Sequence, residues 1–133
     1  MSAQLIITAI LAMFPHMSGN NRACIIAQRD TIAQHLLVAH QTYPELPMVL
    51  MAAVAFAETH LGCDAGEGGN WGAPISPARR HVAGTPLQAA RALATGIARC
   101  GSFDGAVMRF RVGLCQPRRQ SSDPVVRRRA EHY

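Results

Sequence analysis

The sequence predicts an all-α domain, and three observations carry the prediction. Apolar residues recur three and four positions apart instead of alternating, as on one face of an amphipathic helix. Start and stop signals bracket those stretches. The clearest is Thr85-Pro86-Leu87-Gln88, a capping box with proline at the first helical position, with Gly101 beyond the helix it opens. Eleven consecutive non-polar residues, Pro47 to Ala57, give the pattern of a core helix. That stretch and Leu5–Phe14 both fall short of the roughly 20 residues needed to span a bilayer.

Five helices follow in order, about a buried central one. Ser2–Phe14 is a short apolar helix, stopped by Pro15 and Gly19. Asn20 or Asn21 caps a second helix running to about Gln41, with Ile25, Ile32, Leu36 and Leu37 at helical spacing. Pro44 and Pro47 break the chain, and Pro47 suits a first helical turn. The helix it opens is apolar on every side as far as Glu58, so it is expected to be the buried one. Gly62 to Gly84 is a glycine-rich loop with room for a small hairpin. Pro86–Arg99 and Phe103–Val112 complete the set, with Ser102 as a cap.

The chain has 133 residues, 49% of them hydrophobic and 16% charged, which fits one folded domain and excludes wholesale disorder. The net charge is +5, and all 13 basic residues are Arg. Five of them, Arg118, Arg119, Arg127, Arg128 and Arg129, fall after Gln116, against only Asp123 and Glu131. The domain is therefore set at 1–116, with 117–133 a basic, flexible tail. A polyanion could hold such a tail by counterion release, but a solvated extension is the plainer reading, since its composition suits disorder. The body has no basic stripe with interleaved aromatics, which argues against a dedicated nucleic-acid binder.

Four cysteines, Cys24, Cys63, Cys100 and Cys115, lie too far apart for a CxxC zinc pattern. His60 and Cys63 offer two ligands without a second pair, so no metal and no cofactor are assigned. Cys100–Cys115 is the expected disulfide, joining the ends of the last two helices; the state of Cys24 and Cys63 stays open. An even count suits an oxidising compartment. Leu5–Phe14 resembles a signal core, but Met1–Gln4 lacks a basic residue and no A-x-A site follows, so it is read as a first helix.

One acid stands where the core helix ends. Desolvation would raise the pKa of Glu58, which is what a general acid working near neutral pH needs. A solvent-facing helix-terminal acid is the plainer alternative. The glycine-rich loop follows directly, with Asn70 to bind an N-acetyl group or hold a turn. Trp71 in the same loop either stacks on a sugar or plugs the core.

The stretch Ala55-Phe56-Ala57-Glu58-Thr59-His60-Leu61-Gly62 resembles the catalytic helix end of the lysozyme-like superfamily, an A-x-x-E-[ST] segment closing a buried helix. It is similar to the soluble lytic transglycosylases. It is also similar to flagellar-type glucosaminidases, whose glutamate is followed by N-x-F-G, matched here by Asn70-Trp71-Gly72-Ala73. Ala106-Val107-Met108-Arg109-Phe110-Arg111-Val112-Gly113 resembles the transglycosylase helix end A-x-x-x-Y-N-x-G. The resemblance covers about residues 47–115. It departs from the family in lacking G-L-M-Q after the glutamate and in replacing Tyr-Asn by Phe110-Arg111.

The resemblance implies cleavage of the β-1,4 glycosidic bond of peptidoglycan strands, with Glu58 protonating the leaving oxygen. A hydrolase needs a second carboxylate, for which Asp64 and Glu67 stand in the loop. A lytic transglycosylase needs none and is slightly favoured. Asn70, Trp71, Phe110 and Arg111 would line the glycan site; Arg111 could meet substrate carboxylates or be ordinary surface charge. The place of action would be the bacterial periplasm or cell wall, reached by way of a phage virion or a secretion apparatus whose components the tail could anchor. The alternatives are a lapsed, glycan-binding component of such a machine and, third, a small basic nucleic-acid binder.

Overall fold

The computed structural model describes residues 2–72, 84–116 and 124. Six helices make up the fold: α1 (Ala3–Met13), α2 (Gly19–Ala27), α3 (Arg29–Thr42), α4 (Met48–Thr59), α5 (Pro86–Cys100) and α6 (Phe103–Val112). No strand occurs among the described residues, so the all-α class holds. The hairpin allowed for in the Gly62–Gly84 loop shows no strand at residues 62–72 or 84; residues 73–83 of that loop and the basic tail at 117–133 lie outside the described residues, Pro124 excepted.

Local chemistry explains most of the helix ends. The Ser2 hydroxyl accepts from the Leu5 amide, opening α1. Thr85 and Gln88 form the capping box in both directions, and Gly101 closes α5 at φ +72°. Ser102 caps α6, and Gly113 ends it at φ +86°. Ile6, Ile7 and Ile10 of α1 are buried at helical spacing and meet Ile25, Ile32, Leu36, Met51 and Leu93 in one apolar core.

Three expectations change. The second helix is two, divided at Gln28, and its cap is Ser18, not Asn20 or Asn21. The halves have different anchors. Cys24 on α2 is bonded to Cys63, while Arg29 at the start of α3 donates to Gln4 and Thr8 of α1. The packing hub is α3, which meets α1, α2, α4 and α5, whereas α4 meets α1, α3 and α5. Finally, α4 is not buried all round. Val49, Ala53 and Ala57 form an exposed stripe along it. With Ile6, Ile10, Met13 and Phe14 they line an apolar groove of about 460 Å³ between α1 and α4. Leaving alanine in water costs little, so apolar composition alone did not require burial of that face.

Both cysteine pairs are disulfides, with Cα separations of 5.8 Å for Cys24–Cys63 and 5.5 Å for Cys100–Cys115. The second is the expected bridge. The first answers the question left open, and it removes Cys63 as a thiolate partner for His60. No helix among the described residues is long and apolar enough to cross a membrane.

Candidate functional site

The site is built from the last turn of α4 outward. The helix stops because three successive residues, His60 (φ 50°), Leu61 (φ 58°) and Gly62 (φ 83°), adopt left-handed backbone. For the two non-glycine residues that conformation costs about 1–2 kcal/mol each. Several contacts offset it. Leu61 is 2% exposed, so its side chain reaches the core only through this turn. The His60 and Leu61 amides donate to the Phe56 and Ala55 carbonyls. The His60 imidazole lies 2.7 Å from Asp64, and Asp64 also accepts from Asn21 on α2. The Cys24–Cys63 bridge pins the same segment.

Thr59 then folds the loop back over the helix end. Its hydroxyl is buried; it accepts from the Gly62 amide at 2.9 Å and donates to the Asn70 carbonyl at 2.8 Å. Gly62 must be glycine, because a Cβ there would stand 2.6 Å from the Gly69 Cα. The Asn70 side chain donates to the Glu67 carbonyl at 2.7 Å, which makes Asn70 a turn-holding residue. The Trp71 amide donates to Gly84 at 2.8 Å, bringing the two described ends of the loop together.

With Asn70 tied to Thr59, Trp71 turns inward. It is 1% exposed and sits edge-on to His35, ring centroids 5.8 Å apart. Of the two roles left open for Trp71, its near-complete burial favours the core plug. The residue over Glu58 is Gly72, at φ +83°. A Cβ on Gly72 would lie 3.2 Å from the Glu58 Cβ and 3.7 Å from the Phe110 ring.

The third wall comes from α6. Gly96 of α5 lets Ala106 approach so closely that an added Cβ would stand 3.1 Å from it, and the Cys100–Cys115 bridge closes the far end of the pair. Phe110 thereby reaches the core at 2% exposure. The next residue, about 100° around the helix, is Arg111 at the rim. Its Nη1 lies 3.6 Å from Glu58 Oε1, with the two side chains 40% and 17% exposed.

Glu58, Phe110 and Arg111 are therefore brought together from α4 and α6, with Gly72 from the loop between. Of the loop, the residue shown against Glu58 is Gly72, the next after the Asn70-Trp71 pair that the resemblance assigns to the glycan site. Asp64 is turned toward α2 and His60. Glu67 contributes its carbonyl to the turn. Thr59 and Gly72 were the residues whose roles the sequence did not disclose. The only signal for either was its position inside the matched motifs. A second, more polar cavity of about 380 Å³ lies beyond the loop, lined by His35, Asp64 and Trp71 among others.

Chemically, a mostly buried carboxylate with a cation at its rim and Gly72 against its side chain is a group that can exchange a proton with an oxygen brought within hydrogen-bond reach. Among the described residues no group of three or more His, Cys, Asp or Glu gathers to hold a metal. No family model, curated protein or solved structure matches the chain.

Proposed function

We propose that this chain is a lysozyme-like enzyme that cleaves β-1,4 glycosidic bonds of peptidoglycan, with Glu58 as general acid and base. The observation that carries the reading is the convergence of Glu58, Gly72 and Phe110, which come from three separate motif-bearing segments. Glu58 protonates the leaving oxygen. In the transglycosylase route the muramic 6-hydroxyl then attacks the anomeric carbon and returns its proton to Glu58. That route is favoured over hydrolysis because Asp64, one of the two loop acids, is engaged by Asn21 and His60. Two disulfides suit action outside the cytoplasm, in the periplasm or cell wall. The basic tail would anchor the domain to a virion or secretion machine.

A second reading, glycan binding without turnover, is favoured by one observation: Arg111 stands beside Glu58 and competes for its carboxylate. Incubation with purified sacculi, with mass analysis of the products, separates the readings. Anhydromuramic ends identify a transglycosylase, reducing ends a hydrolase, and no products a binding protein. Glu58→Gln keeps the shape but cannot deliver a proton, so turnover should fall at least about 10²-fold. Near wild-type turnover in that variant rules Glu58 out as the acid.

A further inference from the structure

The cavity of about 380 Å³ beyond the loop has an apolar part and a polar part. Ile32, Leu61 and Trp71 of its lining are almost fully buried, and the Cys24–Cys63 bridge adds sulfur to the same wall. The polar groups are those with room for a partner. Gln28 and Thr31 stand three residues apart, on one face of the start of α3. Both are exposed, and neither side chain takes a hydrogen bond among the described residues. Asp64 is engaged through one oxygen: Oδ1 accepts from Asn21 at 3.0 Å and lies 2.7 Å from the His60 imidazole. Oδ2 therefore keeps its acceptor sites. His35, the remaining polar side chain of the lining, lies edge-on to Trp71. No arginine lines the cavity among the described residues, and Arg29, beside Gln28, is turned to Gln4 and Thr8 of α1.

We infer that this cavity binds a primary ammonium on a short aliphatic chain, the side-chain amine of a lysine-type residue in a peptide. Such a head has three donors and no acceptor. The lining offers it three side-chain oxygens, Asp64 Oδ2, Gln28 Oε1 and Thr31 Oγ1. Its methylenes are matched by the apolar part of the wall. An anion would meet Asp64 with no arginine in the lining to offset it. A neutral amide or hydroxyl could bond the same oxygens but would forgo the charge-assisted pair, which is roughly twice as strong. Binding here does not involve Glu58, so it stands or falls apart from the proposed catalysis.

The test titrates the full chain, both disulfides oxidised, with Nα-acetyl-lysine methylamide and follows backbone amide NMR shifts. Shifts should gather on residues 28–35 and 61–71, with a Kd of about 1–10 mM, the scale for one charged head on a short chain. The Nε-acetylated form keeps the chain and loses the charge, so it should bind about tenfold more weakly or worse. Equal binding of the two forms overturns the inference, as does an absence of shifts in these segments. Asp64→Asn keeps an oxygen for Asn21 and His60, and it should weaken binding of the lysine derivative about tenfold or more. Glu45→Gln, at an exposed acid outside the cavity lining, should leave binding unchanged. An equal loss in both variants would mean general attraction to acids and refutes the site. If Asp64→Asn fails to fold, Gln28→Leu and Thr31→Val decide, since neither side chain has a hydrogen bond to lose. Each should weaken binding several-fold, and unchanged affinity in both refutes the site. Cadaverine reads the other source of this chemistry: tighter binding than the lysine derivative assigns the site to a free diamine, weaker binding to a peptide-borne amine.

Discussion

Thr59→Val should unlatch the loop from the helix while leaving the core volume intact. Valine matches threonine in shape, so no cavity opens and the β-branched side chain still suits the site. What disappears is one hydroxyl that accepts from the Gly62 amide at 2.9 Å and donates to the Asn70 carbonyl at 2.8 Å, with the Ala55 carbonyl a longer 3.4 Å away. Thr59 is 4% exposed, so water does not readily replace the lost hydroxyl. Each buried group left without its partner costs about 1–3 kcal/mol, and the Asn70 carbonyl, only partly buried, falls at the low end. The sum is about 2–4 kcal/mol. For a chain of this size that corresponds to a Tm lower by about 8–15 °C, read by calorimetry with both disulfides oxidised. Thr59→Ser keeps the hydroxyl and loses one methyl, so it should cost about 1 kcal/mol. On the proposed function, activity should fall in Thr59→Val more than stability accounts for, because the Thr59–Asn70 bond is one of the contacts that hold the chain just before Gly72 against the end of α4. If Thr59→Val is as stable as Thr59→Ser, the hydroxyl is not what closes the loop.

Gly72→Ala places a methyl 3.2 Å from the Glu58 Cβ at φ +83°. If Glu58 is the acid as proposed, this should lower kcat about tenfold or more, since small displacements of such a group are costly, with a stability loss of about 1–2 kcal/mol. Gly66→Ala is the control: it shares a positive φ of +86° but meets nothing within 4 Å, so it should show the stability loss without the kcat loss. Equal activity in the two variants would remove Gly72 from the site. Replacing both cysteines of each bridge by serine should destabilise by about 4 kcal/mol for Cys24–Cys63 and about 3 kcal/mol for Cys100–Cys115. The ranking follows sequence separations of 39 and 15 in a loop-entropy account, and urea melts with the opposite order would contradict it. In Glu58→Gln, stability should stay within about 1 kcal/mol of wild type by the same melts, because the amide keeps the shape and nearly all the polarity of the side chain. A larger loss would make Glu58 chiefly a structural residue.

Helix ends were legible wherever one turn of chain contains the whole signal. The Thr85 capping box, the Ser102 cap and the Gly101 and Gly113 stops are each closed by atoms within four residues of one another. The Cys100–Cys115 bridge was legible for a related reason, since its short loop joins the ends of adjacent helices. The position of Glu58 at the end of an apolar helix was likewise written in the local pattern. Trp71 shows where that kind of reading stops. A tryptophan in a glycine-rich loop is compatible with facing out or in, and the Thr59 bond to Asn70 decides it. The break at Gln28 depends on partners for Cys24 and Arg29 that lie elsewhere in the chain, and the exposed stripe of α4 depends on how far α1 stands from it. Glu58 and Arg111 meet only because α6 packs with Phe110 inward. The sequence by itself determined what local bonding and periodicity can specify, namely the helical class, most of the helix ends and the place of the acid along the chain. The tertiary structure alone decided which side chains face one another, because that depends on the simultaneous packing of segments whose residue patterns carry no record of their partners.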